Sequence, residues 1–419
     1  MEETRVILRN AGKIDPVSSA QYAAAGGYLA LKKAIATPGE VIQMIKEAGV
    51  RGRSGSDFPV GVKWEQVMNA SGQKFVVCNA DEGEPGTGKD RVIMMQDPHS
   101  MIEGMAICGV AVGADKGYIY LRGEYAHIRD TLEKAINDAY DNGYIGKRVM
   151  NSAYQFDIDL RIGQGSYICG EETGMLESIE GERGEPRYKP PYPSSAGLWG
   201  RPTVINNTET FCNIPVIINE GPLEYRRHGT ENYPGTKLIT LSGHVQNPGV
   251  YEFPMGVPIR VLFEEVSGGC PGGKKLKGML TGGGSGAFIG ADALDTLFDP
   301  EHCAQAGAVF GTGSIMFFNE DTCIVDLCKN SMEFFSKETC GKCVPCRIGC
   351  ERMLEILEKV EAGLGDEEDL KKLSDIGSYM RQTSLCGLGQ NAPIPVLTAL
   401  RNFREAFEIR LSDKSALYV

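Results

Sequence analysis

The sequence predicts an α/β protein that continues into a small β-grasp-like module and ends in a helical domain. Three observations predict it. Short buried strands alternate with helical stretches between residues 74 and 162, a hairpin signature lies near residue 247, and apolar positions recur at helical spacing from residue 321 onward. A chain of 419 residues holds about two to four domains of ordinary size, and 42% hydrophobic with 23% charged residues excludes a disordered, collagen-like or coiled-coil protein.

Residues 38–48 open on Pro, carry Val41, Ile42, Met44, Ile45 and Ala48 at helical spacing and stop at Gly49, which predicts a helix. A Gly-rich loop follows. Residues 75–78 (Phe-Val-Val-Cys) read as a buried strand that runs into the acidic loop Asn79-Ala-Asp-Glu-Gly-Glu-Pro-Gly86. A helix over 100–112, a strand over 117–121, a helix over about 127–140 and a strand over 155–162 complete the alternation. In such folds ligands sit at the carboxyl ends of the strands. Residues 181–202 are rich in Pro and Gly and contain Lys189-Pro-Pro-Tyr-Pro193. Irregular chain of this length is uncommon unless it covers a functional surface, so it is expected to be a binding loop. Residues 238–245, the turn Gln246-Asn-Pro-Gly249 and residues 250–253 form the hairpin. A short helix over 258–266 and strands over 276–281 and 314–318 fill out that module, and helices over 321–337, 347–363, 367–381 and 392–411 make the last domain.

The formal net charge of −12, from 43 Lys and Arg against 55 Asp and Glu, lacks the basic footprint that nucleic acid requires. The longest weakly polar stretch, residues 104–114, falls far short of the ~20 residues that cross a bilayer, so no direct membrane span is expected. Met1-Glu-Glu-Thr-Arg5 shows no basic and apolar leader, which predicts a cytoplasmic protein, at most peripheral to a membrane complex, and leaves the sequons at Asn69 and Asn206 without glycosylation meaning.

Gly83-Glu-Pro-Gly-Thr-Gly88-Lys89 fits a phosphate-binding loop in spacing, but Asp90 stands where a hydroxyl must reach Mg²⁺, and Asp81, Glu82 and Glu84 place carboxylates where triphosphate charge would lie. A nucleoside triphosphatase is therefore disfavoured. The run Gly282-Gly-Gly-Ser-Gly286 reads as simple turn chemistry. Five of the thirteen cysteines fall between Cys340 and Cys386. Cys340, Cys343 and Cys346 have the C-x₂-C-x₂-C spacing that lets one loop hold three corners of a [4Fe–4S] cluster, whereas structural zinc more often uses two separated knuckles. Two cysteines could complete the set, Cys350 and Cys386. Cys386 lies in the Gly-bounded loop Ser384-Leu-Cys-Gly-Leu-Gly389 and is preferred, because no second cysteine set exists for a ligand at x₃ spacing to serve. The cysteines at 78, 108, 169, 212, 270, 303, 323 and 328 are expected to be buried small hydrophobes.

Together the motifs Arg51-Gly-Arg-Ser-Gly-Ser-Asp-Phe-Pro-Val-Gly-Val-Lys-Trp64, Asn79-Ala-Asp-Glu-Gly-Glu-Pro-Gly-Thr-Gly-Lys-Asp-Arg91, Tyr167-Ile-Cys-Gly-Glu-Glu-Thr173, Lys189-Pro-Pro-Tyr-Pro193, Asn206-Asn-Thr-Glu-Thr210 and Glu338-Thr-Cys-Gly-Lys-Cys-Val-Pro-Cys-Arg347 carry a resemblance. Over nearly its whole length the chain resembles the flavoprotein NADH-binding subunit of respiratory complex I and its soluble relatives in NAD-reducing hydrogenases, formate dehydrogenases and electron-bifurcating complexes. The resemblance implies an N-terminal helical segment with its glycine-rich loop (1–60), a Rossmann-like FMN and NADH domain (61–232), a ubiquitin-like β-grasp module (233–320) and a helical bundle with one [4Fe–4S] cluster (321–419).

Carried across motif by motif, FMN would be met by Gly52, Arg53, Ser54, Lys63, Ile205, Asn206, Asn207 and Thr210 along its phosphate and ribityl chain, and by Asn79, Asp81, Glu82, Gly170, Glu171 and Glu172 around its ring. NADH would meet Phe58, Glu84, Lys189 and Tyr192, with Glu84 and Glu172 orienting the nucleotide. Glycines admit backbone N–H groups to a phosphate, Arg53 or Lys63 can offset its charge, and Phe58 and Tyr192 offer stacking faces. Acidic side chains near the ribose favour NADH over NADPH. The implied activity is hydride transfer from NADH to FMN, then single-electron transfer through the cluster on Cys340, Cys343, Cys346 and Cys386, with electron bifurcation as an extension. No protein acid or base is required. Expected partners are a [2Fe–2S] thioredoxin-like subunit and a further iron–sulfur or catalytic electron-transfer subunit. Ser56, Asp57, Val60 and Gln66 depart from the family pattern, and a carboxylate at Asp57 beside Phe58 raises an alternative: a degenerate paralogue that keeps the cluster and has lost or altered nucleotide oxidation.

Overall fold

The strands expected at residues 75, 117 and 155 lie side by side, joined by a fourth that no periodicity announces. In the computed structural model, which describes residues 2–411, β1 (Phe75–Ala80), β2 (Lys116–Leu121), β3 (Asp157–Ile162) and β4 (Thr203–Asn207) form one parallel sheet in the order β3-β2-β1-β4. Period-2 alternation divides the sheet between two cores. Val76, Cys78, Ile119, Leu121 and Val204 face the buried helix Pro98–Val112, while Phe75, Val77, Tyr118, Tyr120 and Ile205 face the opposite side.

The N-terminal helices Ser19–Ala24, Leu29–Ala36 and Pro38–Ala48 share the first of these cores through Tyr22, Leu31 and Ile45, so the first 60 residues pack as part of the sheet layer. The second module is a mixed sheet of β5 (Thr236–Gly243), β6 (Gly249–Pro254), β7 (Leu276–Thr281), β8 (Ala287–Gly290) and β9 (Ser314–Asn319). Its order is β6-β5-β9-β7-β8, with β5 and β9 parallel and every other neighbour antiparallel. The helix expected over 258–266 is one short turn, Ile259–Val261, continued as a π turn over Leu262–Val266.

The C-terminal helices Ile324–Glu338, Val344–Glu361 and Glu367–Thr383 share one continuous core with the second face of the parallel sheet, the helix Glu172–Glu180 and the second module. The single helix expected over 392–411 is broken into Ile394–Asn402 and Glu405–Glu408. Phe403 causes the break: its backbone leaves the helix and its ring packs on Phe318, 5.9 Å between centroids. Residues 412–419 of the expected last domain, like Met1, lie outside the described residues.

A buried charge network joins the first two modules. Glu209, at the start of the helix Thr208–Glu220, accepts from Lys237 Nζ at 2.5 Å and from the Leu238 N–H at 2.9 Å, and lies 3.1 Å from Lys89 Nζ. All three charged side chains are essentially inaccessible, and buried charges persist only when paired in this way. Among the described residues no helix is long and apolar enough to cross a membrane.

Candidate functional site

β1 continues to β2 and β3 on one side and pairs with β4 on the other, so the strand order reverses between β1 and β4. That switch point opens a crevice beyond the carboxyl ends of the strands. Asn79 of β1 stands opposite Asn207 of β4 in the register, and both line the crevice.

The crevice has three connected chambers. The middle one, about 270 Å³, is lined by Gly52, Ser54, Lys63, Asn79, Gly170, Glu171, Glu172, Lys189, Ile205, Asn206, Asn207 and Thr210, and also by Ser56 and Gly387. An inner chamber of about 210 Å³ shares Ser54, Asn79, Gly170, Glu171, Asn207 and Gly387 with it and adds Asp81, Glu82 and Glu84. An outer chamber of about 490 Å³ shares Ser56, Lys63, Glu172 and Ile205, and adds Phe58 and Tyr192. The expected FMN residues thus converge, Arg53 excepted. The expected nucleotide residues spread along the crevice: Phe58 and Tyr192 in the outer chamber, Lys189 in the middle, Glu84 in the inner.

The middle chamber suits an anion. Burial lowers the Lys63 pKa, and its ammonium donates to the Ile205 carbonyl at 3.0 Å, a neutral partner. Gly52 and Gly170 keep the walls thin: a Cβ on Gly52 would come within 3.1 Å of Ser56 Oγ, and one on Gly170 within 3.4 Å of the Asp81 carbonyl. In the inner chamber, burial pushes the Asp81 carboxyl up to about 7 against the pull of Arg122, and Asp81 Oδ2 is buried without a hydrogen-bond partner. These features fit a bound molecule with a phosphate at one end and polar ring edges at the other.

Arg53 is a correction. Its guanidinium is buried away from the crevice, donating to Tyr225 Oη at 2.9 Å and to the Pro234 carbonyl at 2.8 Å, so it cannot offset a phosphate charge there. Only its backbone stays close, donating to Thr210 Oγ1 at 2.9 Å. The phosphate-loop resemblance fails for a reason visible in the structure. Glu82 already accepts the Asp90 and Arg91 N–H groups at the start of the helix Lys89–Gln96, and Lys89 is engaged by Asp90 at 2.6 Å and Glu209 at 3.1 Å. Glu82 therefore caps a helix at the chamber wall. Glu171 likewise caps the helix Glu172–Glu180 through Thr173 and Gly174, while Lys189 bridges Glu171 at 2.9 Å and Glu172 at 2.6 Å.

The glycine run at 282–286 is more than a turn. A Cβ on Gly283 would meet Glu84 at 2.4 Å, and the Ser285 N–H donates to Glu84 Oε1 at 2.7 Å. Tyr167 holds the other oxygen of Glu84 at 2.6 Å, while its own N–H donates to Glu338 at 2.9 Å. One tyrosine of the inner chamber thus ties the acidic loop to the helical domain. Its place at the head of the Tyr167–Thr173 motif is the signal by which sequence could have found it. Thr312 and Gly387 also line the inner chamber, and no spacing in the sequence points to them. Asp57 is not among the lining residues of the outer chamber although Ser56 and Phe58 on either side are, and its carboxylate pairs with Arg51 at 3.0 Å, on a backbone with φ of 48°.

The cysteines gather at the end of the helical domain. Cys343 precedes and Cys346 lies within the first turn of the helix Val344–Glu361, while Cys340 and Cys386 sit in flanking loops packed against the same core. Gly389 seats the second loop on the first, since a Cβ there would lie 2.8 Å from Cys346 Cβ. A hydrogen bond from Cys350, one turn further on, holds the Cys346 thiol down to about 7 against burial, with Thr339 helping. Thiolates are the soft donors that a [4Fe–4S] cube takes. A donor set of four thiols on two interlocked loops fits the cube. Of the eight scattered cysteines all are buried except Cys323, which is half-buried and caps the helix Ile324–Glu338.

Comparison with known proteins matches three regions of the chain. Residues 45–216 match the Nuo51 FMN-binding domain, residues 326–410 the NADH-ubiquinone oxidoreductase-F iron-sulfur binding region and residues 238–285 the SLBB domain. The chain is 43% identical over 415 residues to the NADP-reducing hydrogenase subunit HndC of Solidesulfovibrio fructosivorans, covering 99% of this chain and 84% of that one. It is also 43% identical over 412 residues to the F 2 subunit of the NADH-quinone oxidoreductase of Rhizobium meliloti (strain 1021), covering 98% of each. A crystal structure of an NAD⁺-reducing [NiFe]-hydrogenase in the H₂-reduced state superposes with a TM-score of 0.85 at 33% identity, over 96% of this chain and 67% of that one. The chain belongs to the family of NADH-quinone oxidoreductase F subunits and their hydrogenase counterparts, with an FMN-binding domain and a 4Fe–4S binding region.

Proposed function

We propose that the chain is the NADH-oxidising subunit of a multi-subunit electron-transfer complex, with FMN in the middle and inner chambers and the nicotinamide nucleotide lying along it from the outer chamber to Glu84 at the inner one. Bound FMN supplies the exchange between a two-electron hydride and single electrons, and the cysteine-held cluster supplies a one-electron acceptor. The observation that carries this reading is the continuity of the site. Gly387, a wall of both flavin chambers, directly follows the proposed cluster ligand Cys386.

The residues have separate tasks. Lys63 offsets the phosphate, and the glycines at 52 and 170 let backbone approach it and the ring. Phe58 and Tyr192 stack on rings of the nucleotide, Lys189 is held ready by Glu171 and Glu172, and Glu84, fixed by Tyr167 and Ser285, accepts from the nucleotide. Alignment to roughly 3–3.5 Å between reacting atoms is the protein's contribution, with no side-chain acid or base in the bond-making step. The names of the relatives divide between NADP and NADH. Glu84 and Glu172 favour NADH by disfavouring an added 2′-phosphate. Asp57, its charge met by Arg51 and not among the lining residues of the outer chamber, supports an intact nucleotide site over a degenerate one.

The same reading assigns residues 233–320 to a ubiquitin-like β-grasp module between a flavin domain (61–232, preceded by the helices and loop of 1–60) and a cluster domain (321–419). It places the chain in the cytoplasm beside a [2Fe–2S] thioredoxin-like subunit and a further electron-transfer subunit. Anaerobic purification followed by absorbance spectra with and without nucleotide tests it. NADH should bleach a flavin band and NADPH should do so less well. Absence of flavin, or no bleaching with either nucleotide, overturns the reading.

A further inference from the structure

We propose that Thr339 is a positioning residue whose hydroxyl hydrogen-bonds the cluster-ligating sulfur of Cys346 and raises the reduction potential of the cluster. The inference rests on the reading of Cys346 as a cluster ligand. Thr339 Oγ1 lies 3.1 Å from Cys346 Sγ, at the loop where the helix Ile324–Glu338 ends. The direction of the bond follows from the neighbours. The Gly341 N–H donates to Thr339 Oγ1 at 3.3 Å and takes one of the two lone pairs of the hydroxyl, whose hydrogen remains to be placed. A sulfur bound to iron is a thiolate and can only accept. The contact is therefore O–H to S.

Its surroundings strengthen it. Cys346 is buried, whereas Cys340, Cys343 and Cys386 are each half-buried. Gly389 packs against its Cβ and closes that side. A hydrogen bond to sulfur counts for more where water does not compete, and donors to cluster sulfurs draw off electron density and favour the reduced, more negative cluster. The preceding residue, Glu338, accepts from the Tyr167 N–H at 2.9 Å, so two consecutive side chains reach the flavin-side tyrosine and the cluster-side sulfur. Thr339 thus tunes the acceptor on the same strand of chain that fixes a wall of the donor's cleft.

The test is an EPR-monitored redox titration of the purified full-length protein carrying its cluster, comparing wild type with Thr339→Val, Thr339→Ala and Thr339→Ser. Loss of the hydroxyl in Val or Ala should lower the midpoint, so that at a fixed ambient potential the ratio of reduced to oxidised cluster falls roughly twofold to tenfold. Ser should restore the wild-type value, and flavin bleaching by NADH should stay unchanged in all four. If Val disturbs assembly, Ala decides, being smaller than the residue it replaces. A wild-type midpoint in a cluster-containing Ala or Val variant, or a lowered one in Ser, overturns the inference and leaves the proposed function standing. A wild-type protein with no iron–sulfur signal overturns both.

Discussion

The flavin crevice and the cysteine centre are built in opposite ways. The cysteine centre draws three of its four proposed ligands from seven consecutive residues, Cys340 to Cys346, and only Cys386 comes from farther along. The crevice collects its lining from six separated stretches, near residues 52–66, 79–90, 167–172, 189–210, 312 and 387–391. The switch in strand order at β1 and β4 opens the crevice, and packing of the other two modules against it adds Thr312 and Gly387. A site whose geometry is local keeps its chemistry in the spacing of the chain. A site made by topology keeps it in the fold.

That contrast can be broken or sharpened experimentally. Removing a ligand should abolish the cysteine centre and spare the crevice. Loss of an outer partner of a metal ligand typically costs about 10–100-fold, so Cys386→Ser should lower NADH-driven electron delivery to an acceptor subunit by more than ~100-fold, with iron content falling and flavin bleaching retained. Loss of bleaching in step with iron would show that the two regions are not separable. Next in size is Lys63→Met. Hydrogen bonds to charged groups contribute about 1.5–3 kcal/mol, so flavin should be held ~10- to 150-fold less tightly, read from fluorescence released on dilution.

Smaller effects belong to the outer chamber, where Tyr192 is 57% exposed and has room to move. Aromatic contacts contribute about 0.5–1.5 kcal/mol, so Tyr192→Ala should raise the KM for NADH about twofold to tenfold with kcat little altered, in steady-state kinetics. The smallest effect is a slope. Burial lifts Asp81 from its ordinary range to about 7, so the folded protein holds a proton there that the unfolded chain releases near pH 4. Its stabilising contribution is complete below that lower value and is lost as pH rises through about 7. Thermal melts between pH 5 and 8 should decline in wild type and decline less steeply in Asp81→Asn, where Glu82 and Glu252, also raised to about 7 by burial, still titrate. Parallel curves would contradict this assignment.

The legible parts of the molecule are those in which neighbours in sequence are neighbours in space. The cysteine spacing, the helix Pro38–Ala48 and the hairpin of β5 and β6 all express local periodicity or turn chemistry. β4 escapes because its five residues, Thr-Val-Ile-Asn-Asn, follow a long irregular passage and end in two polar side chains that serve the crevice. Its asparagines stand out through a motif and their backbone does not. Arg53 misleads because a basic residue in a Gly-rich loop suggests a phosphate, while the fold offers it a buried tyrosine and a carbonyl. The glycines at 282–286 look local and prove tertiary, since only Glu84 explains why Gly283 has no room for a Cβ. In each case the deciding partner lies far away in sequence.

The turn after Cys386 is a party wall. Gly387 faces both flavin chambers, and two residues on, Gly389 is pressed against Cys346. The partition is made of chain and not of metal, so oxidative attack that dissolved the iron would leave it standing, with the vitamin-derived pigment behind it still seated and reducible.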